Sequence, residues 1–150
     1  MKPSLSELLG GGAMTLATGV APLLEDNPYG RGNATVAMML MILAAQENEK
    51  AADALHTENQ ALRALFVEAS GCAWLDADLR ARLSALATSV EASLRISALQ
   101  ATNAPLRAGL IALHEAVEAS AEAEAAAFDA RIWRLLCESA AARLVHLPPM

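Results

Sequence analysis

The sequence predicts an all-α protein, an antiparallel bundle of about three to five main helices with a short N-terminal helical arm. Good helix formers, mostly alanine and leucine, fill the chain almost without a break from residue 33 to residue 144. Only Gly71, Pro105 and Gly109 interrupt this stretch. Apolar side chains recur within it every three or four residues, which is the period of one helix face. No segment shows the alternation of a strand, so we expect helices packed side by side.

The chain has 150 residues, which fits one domain, with residues 1–32 as an arm and loop and residues 33–147 as the bundle. Hydrophobic residues make up 55% of it, but aromatic residues only 3%. Much of the apolar surface therefore belongs to alanine, and helix axes can approach closely where alanines face each other. The large anchors expected in the core are Phe66, Trp74, Phe128 and Trp133.

The N-terminal arm should contain two short helices and a loop. Ser4–Leu9 has the pattern of one or two helical turns, and the three successive glycines after it should stop them. Ala13–Leu24 predicts a second short helix, with Pro22 in its last turn. An Asn-Pro pair and two glycines predict a loop over Glu25–Asn33. Asn33 would then be the N-cap of the helix that follows.

The first long helix should run from about Ala34 to Ala69, which is about 54 Å at about 1.5 Å per residue. Its seam alternates steps of four and three residues, as helix-packing interfaces do. Thr57–Gln60 also matches a capping box, which leaves a break at that point open. The seam consists of Met41, Ala45, Asn48, Ala52, Leu55, Asn59, Leu62 and Phe66.

A second helix should open around Trp74–Asp76 and continue to about Ala101. Asn103 as N-cap and Pro105 in the first turn predict the start of a third helix. An alanine- and glutamate-rich run over residues 119–127 is either a loop or a solvated helical link, and a last core face follows it. The expected core positions are Leu75, Leu79, Leu83, Leu86, Val90 and Leu94, then Leu106, Leu110, Leu113 and Val117, then Phe128, Ile132 and Leu135.

Two eleven-residue segments resemble each other at an offset of 44 residues, with six identical positions and the shared motif Asn-x-x-Leu-Arg-Ala. A true duplication would form a pseudo-symmetric polar pair from Asn59 with Arg63 and Asn103 with Arg107. The other interpretation, which we favour, makes Asn103 a plain helix cap and Asn59 a partly exposed seam residue. Alanine- and leucine-rich helices match one another by chance, which is why we favour it. All four residues are candidates for a ligand or interface site.

The acidic balance of the chain argues against a nucleic-acid partner. Asp and Glu number 17 against 11 Lys and Arg, and the formal net charge is −6. A nucleic-acid binder usually carries a basic patch, and none is visible here. The two cysteines, Cys72 and Cys137, fit no metal-ligand spacing, and each lies near a tryptophan. We expect both to be reduced, buried thiols.

The apolar segments predict a cytoplasmic protein that does not contact a membrane. Thr35–Ala45 is an apolar run of 11 residues, whereas a transmembrane helix needs about 20. The uncharged stretch Gly10–Leu24 lacks the basic segment that precedes the apolar part of a signal peptide, and it contains Pro22.

Histidine and carboxylate pairs on one helix face are the best enzymatic lead. Asp53 and His56 are three residues apart, and His114 and Glu118 are four apart, so each pair shares a face. Helical di-metal sites usually repeat Glu-x-x-His, and this chain has no such motif. We therefore commit to no metal site, expect no cofactor, and interpret these residues mainly as solvated ion pairs. No nucleophile elbow or phosphate-binding loop is present.

Two other features could contact a partner. The predicted loop holds the only tyrosine, Tyr29, and the nearby Arg31, either of which could touch a ligand. Met38, Met39 and Met41 form an adaptable apolar patch that is more typical of a core than of a binding surface.

These features favour an interaction or assembly protein that acts as a homodimer and pairs its long helix, residues 34–69, with that of a second copy. A helical protein partner held in a methionine-lined groove is a related hypothesis. The alternative is a helical bundle that binds a small ligand or a metal in a polar pocket between helices. This alternative includes an enzyme. The first hypothesis is preferred because no catalytic motif accompanies the long amphipathic helix.

Overall fold

The structure is a computed structural model that describes residues 2–146, and it is 81% helical, with no strand among those residues. The predicted all-α bundle is confirmed. Five α-helices occur in order: α1 (Leu5–Thr15), α2 (Pro28–Ala69), α3 (Ala77–Ala87), α4 (Ile96–Ala119) and α5 (Ala123–Ala142). A π-helical turn (Leu16–Val20) and a 3-10 turn (Ala21–Leu24) extend α1.

The chain divides into two compact units. Of the described residues, the hairpin unit contains residues 2–51 and 143–146, and the bundle unit contains Ala52–Ala142. Helix α2 is continuous and belongs to both units. Its residues up to Ala51 are in the hairpin unit, and those from Ala52 onward are in the bundle unit. The cluster of large buried apolar residues lies in the bundle unit.

Helix α1 runs through its glycines, so the predicted stop after Leu9 is wrong. A capping box opens the helix: the Ser4 hydroxyl accepts from the Glu7 amide (3.2 Å), and the Glu7 carboxylate accepts from the Ser4 amide (2.7 Å). A helical glycine costs about 1 kcal/mol relative to alanine but does not force an end. Gly12 also permits close approach to α2, because a Cβ there would lie 3.1 Å from the Met41 sulfur.

The turn between the two helical stretches is shorter than the loop predicted over Glu25–Asn33. Helix α2 already begins at Pro28, whose fixed φ and missing N–H suit the first helical position. The Asn27 side-chain oxygen accepts from the Gly30 amide (2.9 Å), so Asn27 caps the helix. The prediction that Asn33 is the cap is therefore wrong, because an earlier Asn-Pro pair provides the stronger start signal.

The hairpin unit pairs the N-terminal helical stretch with the first part of α2 in antiparallel fashion. Near one end, the Ser6 hydroxyl contacts the Glu49 carboxylate, and Gly12 faces Met41 further along. Residue His146 also contacts the same helix: the Gln46 amide nitrogen donates to the His146 carbonyl (2.7 Å), and its oxygen accepts from the His146 amide (2.9 Å).

The hairpin unit has almost no interior of its own. Its buried residues, within the described part of the chain, are three alanines: Ala13, Ala34 and Ala51. The patch of three methionines at residues 38–41 is half-buried. The helical stretch Leu5–Leu24 is long and apolar enough to cross a bilayer, by length and composition alone, and little of it is buried. Large apolar side chains exposed on this unit are Leu5, Leu8, Met14, Leu23, Tyr29, Val36, Leu40, Leu144 and Val145.

Helix α2 confirms the predicted long helix. It has 42 residues, about 63 Å at about 1.5 Å per residue, and it passes through Thr57–Gln60 without a break. Within the bundle unit it packs antiparallel to α5, where Glu68 forms an ion pair with Arg131. It runs parallel to α4, with Asn59 beside Asn103.

The prediction that the second helix continues to Ala101 is wrong, because the helix ends at Ala87. Helix α3 starts where expected, since the Asp76 carboxylate accepts from the amides of the next turn. Residues 88–95, the connecting segment, form no regular element, and Val90 and Leu94 are exposed rather than in the core. Thr, Ser and Val crowd the start of this segment, and such residues favour non-helical backbone.

The prediction that a third helix starts at Asn103 is wrong. Helix α4 begins at Ile96, so Asn103 and Pro105 lie inside it, and Asn103 is buried instead of acting as a cap. Pro105 lacks the N–H that would bond the carbonyl of Ala101, one turn earlier. Both residues are exposed, so water can satisfy that carbonyl.

The core of the bundle unit brings four helices together. Phe66 of α2 is fully buried, and Gly109 of α4 lies so close that a Cβ there would be 3.2 Å from the ring. The same Cβ would be 2.6 Å from Leu86 of α3. The predicted stripes on α4 and α5 are buried as expected. The core consists of Leu62, Leu65, Phe66, Ala69, Cys72, Leu75, Leu83, Leu106, Leu110, Leu113, Val117, Ala125, Phe128, Ile132 and Leu135.

Two expectations about α5 are wrong. Trp133 was expected in the core but is exposed, with its ring edge against His114. Cys137 was expected to be buried and is also exposed, whereas Cys72 is buried. Both α5 residues fall outside the face formed by Phe128, Ile132 and Leu135 that meets the core. The alanine- and glutamate-rich run is mostly helical, since only residues 120–122 separate α4 from α5.

Candidate functional site

A cluster of polar side chains lies inside the bundle unit, between α2, α4 and the connecting segment. At its centre the Asn103 side-chain amide donates to the Asn59 side-chain oxygen at 2.8 Å. The Asn59 amide in turn donates to the Leu99 carbonyl at 3.2 Å. Both asparagines are buried. The two copies of the repeated motif therefore meet through their asparagines, and the favoured interpretation of a capping Asn103 and a partly exposed Asn59 is wrong.

Glu91 of the connecting segment enters this cluster. Its Oε1 atom lies 2.7 Å from Arg63 Nη2 and accepts from the Asn59 amide at 3.1 Å. The Arg63 and Glu91 side chains are only 14% and 12% exposed. Arg63 Nε donates to the Ser89 hydroxyl at 3.3 Å. Hydrogen bonding from Arg63 holds the pKa of the Glu91 carboxyl below its ordinary value.

The second arginine of the motif pairs with a different carboxylate. Arg107 Nε lies 3.1 Å from Glu58 Oε1. The Glu58 side chain is 1% exposed, whereas the Arg107 side chain is 44% exposed. The two arginines thus occupy equivalent positions in the motif but different environments, since only Arg63 is enclosed.

These residues, Glu58, Asn59, Arg63, Glu91, Asn103 and Arg107, form the polar cluster. It contains amides, guanidinium groups and carboxylates, and the Ser89 hydroxyl contacts it through Arg63. Its chemistry is recognition of charge and of hydrogen-bonding groups. The cluster also joins two helices to an otherwise irregular segment.

The Glu91 carboxylate should make stability depend on pH. Because its pKa is lowered on folding, its contribution is present above the ordinary glutamate pKa of about 4.3 and is lost as pH falls through the folded-state value. We expect Glu91→Gln to be less stable than the unchanged protein at neutral pH, and the gap to shrink as pH falls. Urea unfolding from about pH 7 to about pH 3 measures this.

The matched control is Glu115→Gln, an exposed glutamate of α4. It should follow the pH dependence of the unchanged protein. A gap between Glu91→Gln and the unchanged protein that stays constant with pH would show that the ionised carboxylate does not stabilise the fold.

The histidine and carboxylate candidates do not form one site. Asp53 is exposed, and His56 contacts Gln60 on its own helix at 2.8 Å. His114 Nε2 lies 3.0 Å from Asp129 Oδ1 on α5 and 3.8 Å from a Glu118 carboxylate oxygen. Among the described residues, no three His, Cys, Asp or Glu side chains group so as to hold a metal ion. His114 and Asp129 instead connect α4 to α5.

Tyr29 and Arg31 lie in the first turn of α2 rather than in a loop, and both are exposed. They belong to the hairpin unit, whereas the polar cluster belongs to the bundle unit. Cys72 lacks the surroundings that lower a thiol pKa and make it reactive. Burial raises the pKa of the Cys72 thiol, and the nearby Glu124 carboxylate raises it further.

Sequence reasoning identified the asparagines and arginines of the polar cluster but missed its carboxylates. Glu58 stands next to Asn59 in the repeated motif, so adjacency could have drawn attention to it. Glu91 lies within a predicted helix, and nothing in its neighbours separates it from other glutamates. Asp129, the partner of His114, has no local signal either.

Comparison of the chain with protein-family models, with curated proteins and with solved structures finds no match.

Proposed function

We propose that this protein is an assembly protein whose hairpin unit packs against the hairpin unit of a second copy to form a homodimer. The observation that supports this is the lack of an interior among the described residues of the hairpin unit, of which only small alanine side chains are buried. Leucine, methionine and valine side chains remain exposed on both of its helical stretches. Exposed apolar surface of this kind usually marks a contact with another molecule.

A second copy is a better occupant for this surface than a lipid bilayer. The apolar part of α2 within the hairpin unit, residues 34–45, would extend about 18 Å, against about 30 Å of hydrocarbon. The first turn of the N-terminal stretch also carries the charged Glu7 and a Ser6 hydroxyl bonded to Glu49. Two hairpins facing each other would make a four-helix arrangement with a shared core.

We propose that only part of the predicted range, residues 34–69, forms the dimer contact. The second part of α2 already packs against the core of the bundle unit through Leu62, Leu65 and Phe66. Residues 34–51, together with the N-terminal stretch, supply the contact between copies. We further propose a cytoplasmic location. We also propose that the protein has no nucleic-acid partner, because its net charge is −6.

Val36→Glu should separate the copies. Val36 is 56% exposed on the hairpin unit, and a glutamate there would place an unpaired charge in the proposed contact. In size-exclusion chromatography with light scattering at micromolar concentration, we expect the unchanged protein at twice the chain mass of 15.7 kDa. The variant should elute at the mass of one chain with its helical circular dichroism retained.

Val67→Glu is the matched control, because Val67 lies on the same helix and is 61% exposed, but in the bundle unit. It should elute with the unchanged protein. A monomeric unchanged protein, or equal dissociation of both variants, would contradict the proposal. So would a monomer that sediments with phosphatidylcholine vesicles, since lipid would then cover the hairpin surface.

A further inference from the structure

The connecting segment is held to the bundle unit by a single inward-pointing acid. Residues 88–95 form no regular element, and their large apolar side chains, Val90 and Leu94, are exposed. Glu91 is the member that reaches into the polar cluster. Ser89 adds a hydroxyl contact to the same arginine. The segment is therefore fixed mainly by polar contacts to Arg63 and Asn59, and little apolar burial holds it in place.

Of the two groups that receive Glu91, Asn59 is held by residues outside the connecting segment, whereas the side-chain contacts described for Arg63 are with Glu91 and Ser89 of that segment. Asn59 is fully buried, and its side chain is held by Asn103 and by the Leu99 carbonyl. Arg63 lies one helical turn further along α2. Arg63 Nη2 and the Asn59 amide nitrogen lie 2.7 and 3.1 Å from the same Glu91 oxygen, and both come from helix α2, whereas Glu91 comes from an irregular segment.

This pair of donors has the chemistry of a carboxylate receptor. A guanidinium group matches a carboxylate in charge and geometry, and an amide N–H adds a directed hydrogen bond. An enclosed arginine without an anion is strongly unfavourable, so the position requires a negative partner. Nothing in this geometry requires the partner to belong to the same chain.

We infer that Arg63 and Asn59 form a carboxylate-binding site that Glu91 occupies in the structure, and that a carboxylate from another molecule takes its place when the connecting segment moves out. The ligand class is a carboxylate, from either a free organic acid or an acidic side chain of a polypeptide. The site lies wholly in the bundle unit, so it stands apart from the proposed homodimer and is tested separately.

The two ends of the connecting segment are bonded to the flanking helices, so the part that can move out is residues 90–94. Helix α3 closes with the Ser89 amide bonded to the Leu86 carbonyl, and α4 opens with amides bonded to the Arg95 carbonyl. An external carboxylate must compete with a tethered one, whose effective concentration is of millimolar order. A free acid should therefore stabilise the variant that lacks Glu91 more than the unchanged protein, in which it only exchanges with a carboxylate already bound.

The first experiment is chemical rescue of Glu91→Ala with acetate, which has the heavy atoms that this substitution deletes. Sodium acetate is titrated to about 0.2 M against sodium chloride at equal ionic strength, so that screening is matched. We expect the thermal midpoint of the variant to rise by about 3 °C in acetate relative to chloride. The unchanged protein, whose site is filled, should show a much smaller difference.

The double variant Arg63→Met with Glu91→Ala is the control, because it lacks the cation and should lose the acetate effect. Equal responses of the single and double variants would overturn the inference. If Glu91→Ala does not fold, Glu91→Gln is titrated in the same way, because its neutral amide leaves Arg63 without an anion. Absence of an acetate-specific rise in that variant overturns the inference as well.

The second experiment tests displacement in the unchanged protein by hydrogen exchange of the amides in residues 88–95. The added probes are acetate and a short glutamate-containing peptide, each compared with chloride. Faster exchange with acetate assigns the site to free acids, and faster exchange with the peptide alone assigns it to an acidic protein segment. Unchanged exchange with both probes would show that Glu91 is a permanent occupant and would contradict the inference.

Discussion

Replacing Asn59 with leucine is expected to lower the free energy of unfolding by about 2 to 4 kcal/mol. Asn59 is fully buried, and its amide donates to Glu91 and to the Leu99 carbonyl while its oxygen accepts from Asn103. Leucine has a similar volume, so the loss comes from buried polar groups left without partners rather than from a cavity. Urea unfolding followed by circular dichroism measures the change.

A double-mutant cycle isolates the contact between the two asparagines. We expect Asn103→Leu to be destabilising alone, and the combined variant to cost less than the sum, with a coupling of about 0.5 to 3 kcal/mol. Gln100→Leu, at an exposed position of the same helix, is the control and should change stability by less than about 0.5 kcal/mol. Strict additivity of the two asparagine variants would mean that the side chains do not interact.

Phe66→Ala should have the largest effect on packing, about 3 to 5 kcal/mol of unfolding free energy. Its ring is fully buried at the point where α2, α3 and α4 meet, next to Leu86 and Gly109. Alanine leaves a cavity that rigid neighbours fill only in part. Val67→Ala, one residue along and largely exposed, is the control and should cost little. The measurement is again urea unfolding.

Gly109 provides a second test of the same packing. In the unchanged protein, Gly109→Ala brings a Cβ against Phe66 and Leu86, and overpacking of this kind costs about 1 to 3 kcal/mol. In the Phe66→Ala background the ring is gone and Leu86 can move into the space, so the same substitution should be much less harmful. Equal costs in both backgrounds would contradict the described contact.

The helical class and much of the core could be predicted because they depend on local composition and on spacing. Leu106, Leu110, Leu113 and Val117 repeat at helix period and are all buried. Helix ends were harder to predict, because contacts distant in sequence decide some of them. Helix α3 ends at Ala87, and the segment that follows is held by the contact of Glu91 with Arg63, which is 28 residues away in the chain.

In the polar cluster, too, some features could be predicted from neighbouring residues, and others depend on contacts between residues far apart in the sequence. The repeated motif marked Asn59 and Asn103 as related, and their offset of 44 residues proved to be the separation of two residues in direct contact. The signal for a helix cap at Asn103 was locally sound, since asparagine two residues before proline often starts a helix. A buried amide partner on another helix overrides that preference, and only the folded chain supplies such a partner.

The glycines of α1 bear on how the protein responds to dilution. A short helix with three successive glycines has low intrinsic helicity and needs neighbouring surfaces to persist in water. If those surfaces come partly from a second copy, order in this helix follows protein concentration by mass action. The bundle unit carries its own core and has no such dependence. Helix content in the hairpin unit would then fall as the protein is diluted.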